Sequence, residues 1–165
     1  MKLRVAVECF ADLDLLEFLR DHCDLPNLVD HHAYSQGEVV KAVFEKGRAD
    51  VGIVDEDPNR SHHSLRDRMK IIRTGVDVDV HELGGRRLLV VKPELEKSFV
   101  RAMSRIKQES HFKTSSEMHR VLSSQTSRQH DRFKAELMHL RDAYASKKIK
   151  NLVSELADAL REVVS

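Results

Sequence analysis

A short apolar run that ends in an acidic turn is the feature that most constrains this fold. Val51-Gly52-Ile53-Val54 has strand length and is apolar at every position, and Asp55-Glu56-Asp57-Pro58 follows it directly. Because such a strand is usually covered on both faces, the run predicts a central strand of a parallel sheet. Helices must then cover that sheet, and the acidic turn must lie at its carboxyl edge, where ligands bind in open α/β sheets.

The rest of the chain supplies the alternating elements that such a sheet needs. Strands are predicted at 3–7, 28–29, 51–54, 76–83 and 87–91. The first helix is predicted to begin near Asp12, with either Asp12 or Asp14 as its cap. A second is predicted to begin at Ser35, with Gly47 as a C-cap. The polar segment 61–73 reads as a loop with a short helix, and helices follow at 94–107, 115–124, 129–145 and 148–164. We therefore expect an α/β fold, a Rossmann-like and mostly parallel sheet flanked by helices over 1–107, with a helical extension over 108–165.

Composition and charge limit the cellular location and the partners that we expect for this protein. The 165 residues are 41% hydrophobic and 33% charged, and no apolar run approaches the ~20 residues that span a bilayer. The two cysteines form no disulfide framework, so a cytoplasmic location without a membrane partner is expected. Residues 1–100 hold 15 Lys or Arg against 19 Asp or Glu, and residues 101–165 hold 13 against 8. A basic tail suits a nucleic-acid partner, and a solvated helical surface explains it about equally well.

Acidic residues follow two of the predicted strands. Glu8 comes directly after the first strand, and Asp55 and Asp57, two residues apart, can face one point in extended backbone. If the strand ending at Val7 lies beside the one ending at Val54, the three carboxylates meet, and their repulsion is relieved by a divalent cation. All-oxygen ligands select Mg²⁺ or Mn²⁺. The competing interpretation is structural, since Asp-X-Asp is common at turns and Glu8 can cap a helix.

Two segments resemble the motifs of the Toprim domain family. Val7-Glu8-Cys9-Phe10-Ala11-Asp12 resembles the first motif, in which an apolar strand is followed by Glu, usually Gly, two free positions and Asp. Val51 to Asp57 resembles the second, an apolar strand that ends in Asp-X-Asp. Cys9 stands where the family usually has glycine. The resemblance covers about residues 1–107.

The resemblance implies a site and a chemistry. Toprim domains share a catalytic Glu, here Glu8, and metal-holding Asp residues, here Asp55 and Asp57, with Asp12 near a second ion. Segment 88–99 is similar to a late strand and Glu-bearing helix of the OLD-like nucleases, which implies metal binding by Glu96 and a catalytic role for Lys92. The chain resembles neither a topoisomerase, with gate domains and a tyrosine nucleophile, nor a primase with its zinc module, so a small nuclease fits the family best.

Partners are expected on two surfaces. Basic residues that follow the acidic turn are candidates for holding nucleic-acid phosphates, with a solvated helix face as the alternative: Arg60, Arg66, Arg68, Lys70 and Arg73. The last helices carry apolar stripes that suit packing together, self-association or docking on a companion ATPase, a partner that the family resemblance implies.

Three hypotheses follow from these patterns. The first is a magnesium-dependent Toprim nuclease, an effector of a defence or toxin-like system. The second is a non-catalytic Toprim-like module that binds nucleic acid or protein. The third is a phosphotransfer domain of the receiver or dehalogenase type, which is disfavoured because Glu8 precedes the Asp-Glu-Asp turn and that turn runs into Pro58.

Overall fold

A computed structural model describes residues 1–56, 66–123 and 128–165 of the chain. These residues form a mixed six-stranded sheet with helices against it. The strands are β1 (Leu3–Val7), β2 (Leu28–His32), β3 (Val51–Asp55), β4 (Lys70–Arg73), β5 (Val78–Leu83) and β6 (Arg86–Val91). The helices are α1 (Phe10–His22), α2 (Gln36–Phe44), α3 (Leu95–Arg105), α4 (Ser115–Leu122), α5 (Arg128–Lys147) and α6 (Leu152–Val164).

The sheet is mostly parallel, as the sequence predicts. Its strand order is β2-β1-β3-β6-β5-β4, and the first four of these strands run in one direction. Strand β5 is antiparallel to β6, to which the Gly84-Gly85 turn joins it, and β4 pairs with β5 in antiparallel fashion. The four parallel strands therefore bring their carboxyl ends to one edge, and β3 lies in the middle of the sheet.

Strand β4 is a correction to the expected loop and short helix. The short helix is present as a single 3₁₀ turn (Arg66–Arg68), but Lys70–Arg73 form a strand that pairs with β5, with Lys70 opposite Glu82 and Ile71 opposite His81. Because β4 is the outermost strand, its side chains are largely exposed and show no apolar alternation. The β-branched Ile71 and Ile72 were the sequence signal for this strand.

Alternating side chains of the sheet enter two separate cores. On one face, Val54 of β3 and Leu88 and Val90 of β6 pack against Val39 and Val43 of α2. The opposite face carries the larger core, to which β1, β3, β5 and β6 contribute together with α1, α3, α4, α5 and α6. A strand buried on both faces explains why β3 is apolar at every position.

Gly52 allows the close approach of α2 to β3. A Cβ at this position would lie 2.6 Å from Val39 Cγ1 and 2.9 Å from Leu88 Cδ1. Both distances are shorter than ordinary van der Waals contact, so a side chain at residue 52 would push the helix or its neighbour away. The glycine therefore sets the spacing between α2 and β3.

The C-terminal helices share the larger core with the sheet. Phe133 and Leu137 of α5 and Leu156 and Leu160 of α6 are fully buried in it. The buried carboxylate of Glu155 on α6 accepts hydrogen bonds from the backbone N–H groups of 76, 77 and 78, at 2.7, 2.8 and 2.8 Å. This carboxylate fixes α6 to the loop that precedes β5. The proposed boundary between 107 and 108 stays a prediction.

Among the described residues, none of the helices has the length and apolar character needed to cross a membrane.

Candidate active site

The carboxyl edge of the parallel strands brings two of the expected acidic residues to one place. Strands β1 and β3 are parallel neighbours, with Val5 opposite Val51 and Ala6 opposite Gly52. This adjacency confirms the condition on which the acidic constellation depended. Glu8 directly follows β1 and Asp55 ends β3, so both residues lie at the same edge of the sheet.

The start of α1 holds a third carboxylate, Asp12, which is buried. Cys9, in extended backbone, is the N-cap residue, and Asp12 occupies the third helical position. The Asp12 carboxylate accepts hydrogen bonds from the backbone N–H groups of Glu8 (3.3 Å) and Cys9 (3.0 Å) and from the Cys9 thiol (3.2 Å). The expectation that Asp12 or Asp14 is the cap residue was wrong by one turn. Asp12 satisfies the first amides by reaching back to them from inside the helix.

Asp55 joins β3 to two helices. Its carboxylate accepts a hydrogen bond of 2.9 Å from the backbone N–H of Leu95, the first residue of α3. Its backbone carbonyl accepts one of 2.6 Å from the side-chain amide of Gln36, the first residue of α2. The end of β3 is therefore held between the beginnings of α2 and α3.

Glu96 is the fourth carboxylate and lies in the first turn of α3. It is buried, and its Oε1 lies 3.0 Å from Nδ1 of His119 on α4. The sequence offered no signal for His119, because packing of α4 against α3 brings together residues 23 positions apart. A carboxylate that contacts an imidazole is a common arrangement around metal-binding and catalytic groups.

Burial and the neighbouring acidic charges raise the pKa values of Asp55 and Asp12. Burial is the largest cause that raises the pKa of Asp55 to about 9, and the charges of Asp12, Glu96 and Glu8 add to it. The pKa of Asp12 is raised to about 7 by burial, against hydrogen bonds from Cys9 that lower it, with further increases from Glu8 and Glu96. Burial, followed by the Asp12 charge, also raises the pKa of the Cys9 thiol far above its usual range, so Cys9 is a neutral thiol here.

This arrangement provides hard oxygen ligands and favourable dipoles. The first turns of α1 and α3 begin at the edge where the carboxylates lie, and helix N-termini favour negative charge, including phosphate oxygens. In the present side-chain positions of 1–56, 66–123 and 128–165, no group of three or more His, Cys, Asp or Glu could hold a metal ion. Asp57, the expected third ligand of the Asp-X-Asp turn, lies outside the described residues.

Lys92, expected to assist catalysis, is directed toward the outer strands. Its ammonium lies 2.7 Å from the Asp79 carboxylate and donates a hydrogen bond of 2.8 Å to the backbone carbonyl of Gly75. Both partners belong to the region around β5 rather than to the cluster of four carboxylates at the sheet edge. A catalytic role for Lys92 therefore requires its side chain to leave Asp79, and it stays a prediction.

The expected phosphate-binding residues lie apart from the carboxylates. Lys70 and Arg73 are on β4, three strands from β3 in the sheet order, a separation of about 14 Å at about 4.8 Å per strand. Arg73 forms an ion pair with Glu162 of α6. Arg68 is exposed at the end of the 3₁₀ turn that contains Arg66, and Arg60 lies outside the described residues. The structure therefore keeps Lys70 and Arg73 away from the edge where Glu8 and Asp55 lie.

A cavity of about 180 Å³ opens beside the carboxylates. Glu8 and Glu96 contribute to its wall, together with Cys9, Phe10, His32 and Tyr34. The His32 ring stacks on Tyr34, with ring centroids 3.9 Å apart, and contacts the edge of Phe10 at 4.9 Å. The end of β2 therefore places the rings of His32 and Tyr34 at the cavity.

Comparison with protein families, with curated proteins and with solved structures finds no match for this chain.

Proposed function

We propose that this protein is a magnesium- or manganese-dependent nuclease of Toprim type that hydrolyses phosphodiester bonds in DNA or RNA. The observation that carries the proposal is the convergence of four carboxylates, Glu8, Asp12, Asp55 and Glu96, from three separate segments of the chain at one edge of the sheet. Burial, together with the charges of Asp12, Glu96 and Glu8, raises the pKa of Asp55 to about 9. A hard divalent cation offsets such repulsion directly, and oxygen ligands of this kind select Mg²⁺ or Mn²⁺ over softer metals.

The order of the acidic residues supports the Toprim assignment within the α/β class. Glu8 follows β1, Asp55 ends the neighbouring parallel strand β3, and Glu96 lies at the start of the helix that follows β6. These are the positions that the family resemblance assigns to the catalytic Glu, the Asp-X-Asp pair and the late Glu. A receiver domain instead needs an acidic pair after its first strand and a lone Asp after its third. A dehalogenase-type phosphatase needs its nucleophilic Asp-X-Asp near the start of the chain, where this sequence has Glu8.

Each carboxylate has a defined part in this proposal. Glu8 and Asp55, with Asp57 of the same turn, hold the first ion, and Asp12 and Glu96 hold the second. A bound cation there supplies charge neutralisation at the scissile phosphate and lowers the pKa of a water molecule. Asp12 and Asp55 must turn from the backbone amides that they now accept from and must release their protons. The backbone N–H groups of Glu8, Cys9 and Leu95 would then be free to donate hydrogen bonds to phosphate oxygens.

His119 acts in this proposal as a positioning residue. Its Nδ1 contacts Glu96 Oε1 and so fixes the direction of that carboxylate. Lys92 and the basic residues of 60–73 are not required for the proposed metal chemistry. A catalytic role for Lys92 and phosphate binding by the basic residues stay predictions.

The experiment is a cleavage assay with matched variants. Labelled single-stranded DNA, duplex DNA and RNA are incubated with the pure protein and Mg²⁺ or Mn²⁺. Glu8→Gln and Asp55→Asn should each reduce cleavage at least about 100-fold, since losing a mere partner of a metal ligand typically costs roughly 10–100-fold. Glu38→Gln, which alters an exposed carboxylate on α2 paired with lysines, is the control and should leave activity unchanged.

The competing function is a non-catalytic module that binds nucleic acid or protein, and two observations favour it. Asp12 and Asp55 already satisfy helix amides, and the Lys92 ammonium is held by Asp79. Tight nucleic-acid binding without cleavage, together with no stabilisation by Mn²⁺, would select this module over the nuclease. Cleavage that survives in both Glu8→Gln and Asp55→Asn would exclude the proposed carboxylate site.

A further inference from the structure

The exposed aromatic ring of Tyr34 lies beside the cluster of four carboxylates, at the cavity lined by Glu8 and Glu96. Tyr34 is 75% exposed, which is unusual for a large ring whose neighbours are structured. Its backbone has a φ of 64°, in the left-handed region that non-glycine residues seldom adopt. The chain therefore turns at Tyr34 in a way that leaves one ring face in solvent while the other face contacts His32.

The ring beneath Tyr34 is fixed in place. His32 ends β2, and its Nε2 lies 3.1 Å from the backbone carbonyl of Glu8. Its ring contacts Phe10 by an edge and Tyr34 by a face, with an interplanar angle of 30° to Tyr34. The three rings form an aromatic stack braced by backbone on one side and open on the other. Because these rings are already held in position, an additional flat ring can stack on Tyr34 at a low cost in conformational entropy.

The cavity next to this stack has the size and polarity of a site for one ring. Its volume of about 180 Å³ is below the roughly 300–1,000 Å³ of pockets for drug-sized ligands, so it suits a single ring system. Most of its wall is apolar, and Glu8 and Glu96 are acceptors at the wall. Carboxylate acceptors complement the exocyclic amino donors of cytosine and adenine.

From the stack and the cavity together, we infer that the protein takes one unstacked base of a single-stranded nucleic acid against Tyr34, beside the carboxylates. The inference rests on the proposed nuclease function, because that function places a phosphodiester at Glu8 and Asp55. Stacked bases of a duplex do not offer a free face, so single strands, loops or ends are the substrate class. The base that Tyr34 holds then sets which phosphate lies at the carboxylate edge.

The test measures binding without cleavage. Fluorescent oligonucleotides of about 20 nucleotides, as single-stranded DNA, single-stranded RNA and duplex DNA, are titrated with the protein in Ca²⁺ in place of Mg²⁺, and gels check that they stay intact. Tyr34→Ala and Tyr34→Leu should weaken binding of single strands by about tenfold or more, the loss expected for one base stacked on one ring. Tyr34→Phe should keep the parent affinity, because it retains the ring. Tyr144→Ala, on α5 beneath the Lys148 ammonium, is the matched control and should bind as the parent does.

Several results overturn the inference. One is that Tyr34→Ala binds single strands as tightly as the parent does. Another is that Tyr34→Leu and Tyr34→Phe bind with equal affinity. The third is that the parent binds the duplex more tightly than single strands. Its failure is distinguishable from that of the proposed function. A parent that binds single strands through Tyr34 but cuts none keeps the base site and removes the nuclease. A parent whose cleavage and binding are unchanged in Tyr34→Ala keeps the nuclease and removes the base site.

Discussion

The Asp55 carboxylate at the end of β3 accepts a hydrogen bond of 2.9 Å from the backbone N–H of Leu95, the first residue of α3. One side chain thus ties a central strand to the helix that carries Glu96. Burial, followed by the charges of Asp12, Glu96 and Glu8, also raises the pKa of Asp55 to about 9. Asp55 therefore serves the fold as a helix-capping acceptor and opposes it as a buried ionisable group, and substitutions can separate the two roles.

Replacing Asp55 should affect stability in opposite directions for two variants. Asp55→Asn keeps an oxygen acceptor for the Leu95 amide and removes the charge, so the metal-free protein should be at least as stable as the parent. Asp55→Ala loses the acceptor and should cost about 1 kcal/mol, the usual value for a helix cap. Urea unfolding in EDTA measures both. Equal losses in the two variants would show that charge repulsion at Asp55 is negligible.

The stability of the metal-free protein should fall as pH rises. The folded-state pKa values of Asp12 and Asp55 are raised to about 7 and about 9 from the ordinary 3.8, so the folded protein binds more protons than the unfolded chain in between. Their contribution is full below about pH 4 and is lost as pH rises through 7 and 9. Urea unfolding between pH 5 and 9.5 should therefore show that the free energy of unfolding of the parent falls relative to that of Asp55→Asn as pH rises. A difference that does not change with pH contradicts the raised pKa of Asp55.

Glu155→Gln should destabilise the protein without affecting the cluster of four carboxylates at the sheet edge. The buried Glu155 carboxylate accepts three backbone N–H bonds from 76–78, and the amide of Gln offers one oxygen acceptor and a misplaced donor. The expected loss is about 1–3 kcal/mol. Glu162→Gln, on the same helix but half exposed, should cost less than about 0.5 kcal/mol. Equal stabilities of the two variants would contradict the anchoring of α6 by Glu155.

Gly52→Ala should destabilise the protein, and Gly37→Ala should not. A Cβ at residue 52 would lie 2.6 Å from Val39 and 2.9 Å from Leu88, whereas none of the described atoms lies within 4 Å of a Cβ at residue 37. Overpacking of this kind costs about 1–3 kcal/mol, while glycine to alanine at an open helical position is neutral or stabilises by up to about 1 kcal/mol. Thermal unfolding distinguishes them. A stable Gly52→Ala variant would mean that α2 moves away from β3 at little cost.

The sequence predicted the features that depend on local pattern. The apolar run 51–54 indicated a strand covered on both faces, and that strand lies in the middle of the sheet. Because carboxyl ends of parallel strands share one edge, the positions of Glu8 and Asp55 followed from the strand assignments alone. The N-cap at Ser35 was equally local, since its hydroxyl accepts from the Glu38 amide.

Features that depend on tertiary packing could not be predicted from the sequence. His119 reaches Glu96 through the packing of α4 on α3, and the Lys92 ammonium turns to Asp79 because β5 lies beside β6. Tyr34 shows nothing unusual in sequence, and its role as an exposed ring follows from its contact with His32. Strand β4 was missed because an outer strand needs no apolar alternation.

Titration with Mn²⁺ tests the shared-cation claim most directly. Binding is measured by calorimetry at pH 6, 7 and 8 in two buffers of different ionisation enthalpy, for the parent and for Asp55→Asn. The parent should bind Mn²⁺ more tightly as pH rises, by up to about tenfold per unit below the pKa of Asp55, and should release protons on binding. Asp55→Asn should bind much more weakly and release fewer protons. Absence of Mn²⁺ binding by the parent at pH 8, or equal binding by Asp55→Asn, would contradict the claim that these carboxylates share a divalent cation.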